Sequence, residues 1–553
     1  MDDDQYTSAY QVFNDSIHGH IQFHPLLVKI IDTPQFQRLR YIKQLGGCYF
    51  VYPGATHTRF EHSLGVCHLA GELVETLQRN QSQLNITHED VLCVKMAGLC
   101  HDLGHGPFSH MFDGPFLSKA RPGCKWKHEQ GSVDMFDYLI ESNPEVKRFL
   151  EKCGIKEHDL KFVKEMIKGV KDDDDDPSKS KWICEGRDED KAFLYDIVAN
   201  KRNGVDVDKW DYFVRDSRHL GITISFDYSR LMKSARVLEV NGRREIAFRD
   251  KEVYNLYDMF YTRTVLHRRA YQHKTRTMVE KIICKAFLQA DEHLKILGKN
   301  GKEIKMSECV DKDNMDAYTN LTDHVFHQIL LSTDDHLEKA RELLERLSTR
   351  RLYIFLGSVE HKDKDNGKKE EDIAKDIAEM SGTNGLTAEN FICDMVKFDY
   401  GKRESNPMDK VNLYRKRDPN QPIKKWSQIP EMFPKEFLLK EIRVYCDGCT
   451  MKDGEKCFNA WLKKDEREIY LTPSKPDSTE DYKAAADNST VIKQLFPKKS
   501  DTPGGSGSDQ TQVQTSQSNA QGSKRQSSSL QQQDMTDDSS SDPSPEKKLK
   551  KDV

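Results

Sequence analysis

The chain has 553 residues, and its 85 Lys and Arg against 90 Asp and Glu leave a net charge of −5. Only 36% of residues are hydrophobic and 32% are charged, against roughly 45–50% and about 25% in average soluble domains, so part of the chain does not pack. This balance excludes a surface built throughout to grip nucleic acid, while local basic patches stay open.

No stretch nears the roughly 18 apolar residues of a membrane span, so no membrane partner is expected. The acidic start Met1-Asp2-Asp3-Asp4 has no apolar core behind it and is not a secretory signal. The 13 cysteines, odd in number and scattered, suit free thiols in a reducing compartment, nucleus or cytoplasm. Length alone suggests roughly three or four domains.

Residues 1–10 read as a leader. From there to about residue 170, apolar residues recur at helical spacing, with Leu64, Leu69, Leu73 and Leu77 in one run and Val91, Val94, Met96, Ala97 and Leu99 in the next. Phe60 and Leu64 lie one turn apart, which places Ser63 inside a helix already begun. Thr87, followed by Glu89 and Asp90, looks like the N-cap and acidic first turn of the second helix. Asp172 to Asp176 and Pro177 form an acidic loop at 171–177, because five like charges repel and pack against nothing. Residues 190–300 return to helical spacing. His361 to Asp372 reads as a charged surface loop.

A smaller mixed α/β lobe is expected at 381–497. Glu441-Ile442-Arg443-Val444-Tyr445 alternates like a strand, and Glu468-Ile469-Tyr470-Leu471 is a shorter candidate. Residues 498–553 form a Ser/Gln-rich tail that cannot bury enough area to fold. Its Lys547-Lys548-Leu549-Lys550-Lys551 reads equally as an import signal or a solubilising end.

The chemistry sits in a few polar residues inside the apolar region. His62, the adjacent pair His101-Asp102, and the distant Asp208 can converge on one divalent metal. Imidazoles with carboxylates suit Fe, Mn, Zn, Co or Ni, whereas an all-oxygen set would favour Mg or Ca. Taken singly, each is an ordinary hydrogen-bonded core residue. Their company changes that reading. Leu103-Gly104-His105-Gly106-Pro107 breaks the helix directly after the pair, and His105, His110, Asp113 and His128 supply further groups able to move protons.

This pattern resembles the HD-domain metal phosphohydrolases. Thr33 to Arg40, His101 to His110, His128 to Ser132 and Asp206 to Tyr212 narrow it. These strings resemble the SAM- and HD-domain-containing deoxynucleoside triphosphate triphosphohydrolases of animals, over roughly residues 10 to 475. The resemblance implies a mainly α HD-domain helical core at 11–380 and a smaller C-terminal lobe for oligomer contacts. The family carries a SAM domain N-terminally, and this sequence starts almost directly at the HD region.

The resemblance also implies a phosphoric ester hydrolase that cleaves a dNTP to a deoxynucleoside and inorganic triphosphate. One transition-metal ion, Fe or Zn, would be held by His62, His101, Asp102 and Asp208. Arg59, Lys209 and Arg263 would meet the phosphates. His110 would protonate the leaving 5′ oxygen, with His105, Asp113 and His128 relaying protons. Gln44 and Leu45 would meet the sugar, Leu45 and Tyr271 would crowd its 2′ carbon, Tyr212 and Asp216 would hold the 3′ hydroxyl, and Gln272 would edge the base. Control of dNTP pools and restriction of viral replication follow from the same resemblance.

Regulation is implied as well, through a homotetramer assembled by GTP and dNTP with Mg²⁺ at subunit contacts. Asp32, Gln37 and Arg40 match the guanine-recognising positions. Val12, Asn14, Phe60, Arg230, Arg249, Lys251, Asn255 and Lys274 match the second effector site. Gln11 and Asp447 stand where the family has Lys, so activation is expected to need more nucleotide.

Smaller signals complete the reading. Cys446, Cys449 and Cys457 start like a zinc site but lack a fourth ligand, and read as free thiols or a redox pair. Arg350-Arg351-Leu352 could dock a cyclin with its kinase, and Thr502 and Ser544 precede prolines in the tail. Two alternatives stand beside the dNTP reading: a related HD phosphodiesterase, and a protein that binds single-stranded nucleic acid with a vestigial site. The complete four-ligand set argues against the second.

Overall fold

The computed structural model describes residues 10–170, 182–362, 365–423, 434 and 436–471. The leader up to residue 9, the aspartate run and the tail, with Thr502, Ser544 and Lys547 to Lys551, lie outside the described residues.

The core is helical. Helix Arg59–Asn80 begins after Thr58, whose backbone N–H donates to Glu61 Oε1 at 2.8 Å. This reciprocal cap satisfies donors that the helix itself leaves open. Leu64, Val66, Leu69, Leu73 and Leu77 are buried along it, and it packs on helices His88–Cys100 and Val207–Leu220. Thr87 caps the His88 helix as its sequence predicts: its hydroxyl accepts from Asp90 N–H at 3.1 Å, and Asp90 Oδ2 accepts from Thr87 N–H at 3.0 Å. Among the described residues no helix is long and apolar enough to cross a membrane.

The helical reading of the N-terminus and of 190–300 needs correcting. Gln11–Asp15 and Gly19–Phe23 pair as an antiparallel hairpin. Arg236–Val240 and Arg243–Arg249 form another. Its turn is Asn241-Gly242, with φ of +51° and +85°. An Asn-Gly pair between apolar runs is the usual signature of this turn, because its twist matches that of the strands. Strand Asn412–Arg415 adds to Arg243–Arg249 in parallel.

The smaller lobe is a second sheet, ordered Ile469–Leu471, Ile354–Glu360, Leu438–Cys446, Phe391–Asp399, all antiparallel. Its core joins Leu356, Val359, Ile377, Ile442, Val444, Phe458 and Trp461. Strand Ile354–Glu360 and helix Glu370–Ala378 thus lie in this lobe, ahead of residue 381.

Two more expectations are corrected here. The stretch from His361 to Asp372 is not all surface loop. Asp365 is buried and accepts from Arg467 at 2.6 and 2.8 Å, a bidentate pair that offsets the cost of burying both charges. Cys446 and Cys449 are joined as a disulfide rather than held as free thiols. Cys446 ends a strand, and Gly448 at φ +68° folds the chain back toward helix Met451–Lys464. Among the described residues the other 11 cysteines form no disulfide.

Candidate active site

His62 occupies the first turn of the Arg59 helix. His101 follows the end of the His88 helix. Asp208 lies in the first turn of helix Val207–Leu220, which Asp206 caps by accepting from Lys209 N–H at 3.2 Å. Helix ends therefore present all three groups.

The tautomers follow from the partners. His101 Nδ1 faces the carbonyl of Gly98 at 2.8 Å, and a carbonyl only accepts, so Nδ1 donates. His62 Nδ1 likewise faces Asp211 Oδ2 at 2.7 Å. Both Nε2 atoms then carry lone pairs, and they lie 3.3 Å apart. Asp208 Oδ1 is 3.1 Å from one and 3.5 Å from the other. Asp102 sits 3.3 Å from His101 Nε2 and 3.6 Å from His62 Nε2. Lone pairs this close repel unless a proton or a metal ion lies among them. Two imidazoles and two carboxylates fit a transition-metal ion, and His62, His101 and Asp208 are grouped closely enough to share one.

The charges agree. Burial opposes a positive His62, yet the hydrogen bonds it donates to Asp208 and Asp211 overcome this and raise its pKa to about 10, so without a metal a proton on Nε2 stands in the cation's place. Burial also disfavours an ionised Asp102, but Arg59, then His101 and His105, hold it well below the usual carboxylate range. The site is thus primed to hold a positive charge.

A second cluster adjoins the first. His105 Nε2 lies 3.3 Å from Asp102 Oδ1. The His105 ring stacks on His128 at 4.0 Å, and His110 stands 5.0 and 5.1 Å from the two. His128 Nδ1 meets Asp113 Oδ2 at 2.6 Å, and His110 Nδ1 is 3.6 Å from Asp113 Oδ1. The His110 side chain is exposed. Burial first, and Arg59 second, keep His105 neutral.

The loop bearing these histidines runs close to its surroundings. A Cβ on Gly104 would strike the backbone of His128, Gly131 and Ser132. Gly104→Ala should therefore push helix His128–Ser142 off the loop and destabilise the chain by about 1–3 kcal/mol. Urea unfolding would measure this; an unchanged midpoint would contradict the close approach. Arg38 braces the loop by donating to the carbonyls of Leu103 and His105, both at 2.9 Å.

The expected sugar residues gather beside the metal set. Asp216 Oδ1 meets His57 Nε2 at 2.7 Å, and Asp216 Oδ2 accepts from Tyr271 OH. The Tyr212 ring lies 6.3 Å from Tyr271 and 6.4 Å from His62. Leu45 packs against the core. Gln44 Oε1 and Gln272 Oε1 are buried acceptors with no partner.

The three expected phosphate cations each hold an acid. Arg59 donates to Asp102 at 2.7 Å, Lys209 to Asp206 at 2.8 Å, and Arg263 to Asp399 at 2.7 Å.

The expected effector residues are not brought into one cluster within this chain. Asp32 and Arg40 are exposed, Gln37 Oε1 accepts from Arg40 at 2.7 Å, and Arg40 lies over the Phe60 ring at 3.5 Å. Val12 and Asn14 are exposed on the first hairpin. Arg230 donates to Glu252 at 2.8 Å, Arg249 lies 4.0 Å from Asp250, and Asn255 donates to the carbonyl of Asp227 at 2.8 Å. Lys251 is exposed, and Lys274 lies over the Phe355 ring at 4.5 Å. Gln11 pairs with Phe23, Asp447 accepts from Arg346 at 2.6 Å, and Arg350 donates to the carbonyl of Phe50 at 2.9 Å.

The HD domain family matches residues 59–183, which hold His62, His101 and Asp102. The chain is 52% identical over 455 residues to the deoxynucleoside triphosphate triphosphohydrolase SAMHD1 of Homo sapiens, covering 81% of this chain and 72% of the human one. The Xenopus laevis protein of that name is 48% identical over 524 residues, covering 92% and 81%. The SAMHD1 homolog of Dictyostelium discoideum is 34% identical over 462 residues, covering 82% and 80%. The chain belongs to the SAMHD1 family.

Motif reading alone does not single out the support behind the candidate ligands of this SAMHD1-family chain. Asp211 holds His62 Nδ1 and also meets His18 Nε2 at 2.6 Å. Arg215 grips Asp211 and Asp15. A signal existed: Asp208, Asp211 and Arg215 recur at three and four residues, a charged stripe on a helix whose neighbours are apolar.

His68, one ring beyond His18 at 5.3 Å, is kept neutral by burial, with His18 second, and its pKa falls to about 4. The unfolded chain takes up this proton at about pH 6.5. Stability from His68 should therefore decline as pH falls from about 6.5 to 4 and stay flat outside that window. The urea midpoint of wild type minus that of His68→Gln should show this slope; a pH-independent difference would contradict it.

Proposed function

We infer that this chain hydrolyses deoxynucleoside triphosphates to a deoxynucleoside and inorganic triphosphate. The observation that carries the reading is the His62, His101, Asp102 and Asp208 set, joined through Asp102 to the His105, His110 and His128 cluster. A transition-metal ion held by the first set, Fe or Zn, would activate water and polarise a phosphoryl oxygen.

The protein supplies position and protons. Arg59, Lys209 and Arg263 receive the triphosphate, with Mg²⁺, by exchanging their carboxylate partners for phosphate oxygens. A water oxygen bonds to the α-phosphorus as the bond to O5′ breaks. His110 gives its proton to O5′, and the proton released by the attacking water returns to His110 by way of His105, His128 and Asp113. Tyr212 and Asp216 hold the 3′ hydroxyl. Leu45 and Tyr271 leave no room for a 2′ hydroxyl, and a site that cannot pair it rejects ribonucleotides. The unpartnered Gln44 and Gln272 oxygens support contact with sugar and base.

Regulation is part of the same reading. GTP at Asp32, Gln37 and Arg40, and a dNTP at Val12, Asn14, Phe60, Arg230, Arg249, Lys251, Asn255 and Lys274, would join four copies. The exposure of Val12, Asn14, Asp32, Arg40 and Lys251 supports a site completed by another subunit. The role would be control of dNTP pools, and through it restriction of viral replication, in nucleus or cytoplasm.

Incubation with dGTP, GTP and Mg²⁺ tests the activity. Deoxyguanosine and triphosphate are expected; pyrophosphate, monophosphate or no product rejects the reading. Sedimentation with GTP and a dNTP tests assembly, and no tetramer at millimolar effector would reject it.

A further inference from the structure

We propose that Asp323 is a positioning residue that locks the loop carrying His110 to the segment carrying Gln44 and Leu45. It lies outside the motif strings and touches neither metal ligand nor proton relay. Its two carboxylate oxygens serve two different segments. Oδ1 accepts from the Phe108 N–H at 2.7 Å, and Oδ2 accepts from the Lys43 N–H at 2.9 Å. Its own N–H donates to the carbonyl of Tyr41 at 3.1 Å.

The bond at Phe108 falls where the chain most needs one. Phe108 and Ser109 have φ of +57° and +55°, a left-handed conformation that costs a bulky side chain of order 1–3 kcal/mol. His110 follows directly, so its direction depends on those two residues keeping that path. Ser109 completes the stitch: its hydroxyl donates to the carbonyl of Lys43 at 2.9 Å and accepts from Arg59 Nε at 3.1 Å. Lys43 directly precedes Gln44. One carboxylate thus sets the distance between the group that gives the proton and the residues that meet the sugar. Chemistry is sensitive to such placement, and an error near 1 Å costs roughly 100-fold.

This proposal rests on the reading that His110 protonates O5′. Asp323→Asn is nearly isosteric but replaces one acceptor oxygen with an NH₂ that cannot accept. The holoenzyme should lose about 10–100-fold in kcat, and its thermal midpoint should fall, because the new NH₂ leaves one buried backbone N–H without an acceptor.

A substrate with sulfur in place of O5′ supplies the decisive readout. A thiolate leaves without a proton, so Asp323→Asn should return most of the way to wild type on that substrate. A merely structural role would leave the same defect on both substrates. His110→Ala is run alongside. If it also recovers on the sulfur substrate, the acid role holds, and an equal defect of Asp323→Asn on both substrates, or none on dGTP, overturns the proposal. If His110→Ala does not recover, the acid role fails and the proposal fails with it. Should Asp323→Asn not fold, Asp323→Glu, which keeps both acceptors one methylene displaced, takes its place in the same comparison with the same outcomes.

Discussion

His101→Ala and Asp208→Ala should each abolish turnover and metal binding while the protein stays folded. The reason is the geometry of the ligand set. His62 Nε2, His101 Nε2 and Asp208 Oδ1 lie 3.1 to 3.5 Å from one another, close enough to share one ion. Removing one leaves too few ligands to bind a transition ion tightly. The ion's share of the chemistry is several kcal/mol, and each 1.36 kcal/mol is tenfold, so a loss of at least about 10³ in rate is expected.

Stability should respond differently. Asp208 is 32% exposed, and Asp211 and Asp102 still face the buried His62 when Asp208 is truncated. The metal-free variant should melt near the metal-free wild type, while the stabilisation that added metal gives wild type disappears. Metal analysis, dGTP turnover and a thermal melt check all three. A variant with full metal content and turnover above about a tenth of wild type would refute the assignment.

Arg215→Met should be the most destabilising single change. Arg215 Nε donates to Asp211 Oδ2 at 2.8 Å, Nη2 to Asp211 Oδ1 at 2.9 Å, and Nη1 to Asp15 Oδ2 at 2.9 Å. The Arg215 and Asp211 side chains are fully buried and Asp15 nearly so. Burial alone would raise Asp211, yet Arg215 holds it well below the usual carboxylate range. Methionine fills much of the volume but strands two buried carboxylates, a loss of about 3–5 kcal/mol.

The effect should reach the metal. Asp211 fixes the His62 tautomer through Nδ1, and outer partners of this kind are typically worth about 10–100-fold in metal affinity. Arg215→Lys keeps the charge without the planar fork and should fall between the two. Urea unfolding and metal titration measure the pair of effects. A loss below about 1 kcal/mol with unchanged affinity would show that the network is dispensable.

Much of this was legible in the residues themselves. The helix start at Thr87 follows from a hydroxyl and an acid three residues on, a local interaction, and the same pattern at Thr58 and Glu61 was not read from the sequence. The ligand types and the helix break at Gly104 are also local. The Arg236–Arg249 hairpin carries a local signal too, Asn241-Gly242, which a reading by helical spacing alone passes over. The burial of Asp365 was not, because its partner Arg467 is 102 residues away.

Local chemistry in the chain therefore determined which residues could bind a metal, move a proton or start a helix, since those properties travel with a side chain and its nearest neighbours. Tertiary structure decided what each group faces. It brought Asp15 to Arg215 across 200 residues, Asp323 to Phe108 across 215, and the Cys446 and Cys449 sulfurs into a bond. Burial and charge depend on the whole packed surroundings, so the same aspartate reads as a solvated acid in sequence and as the keystone of a buried site once folded.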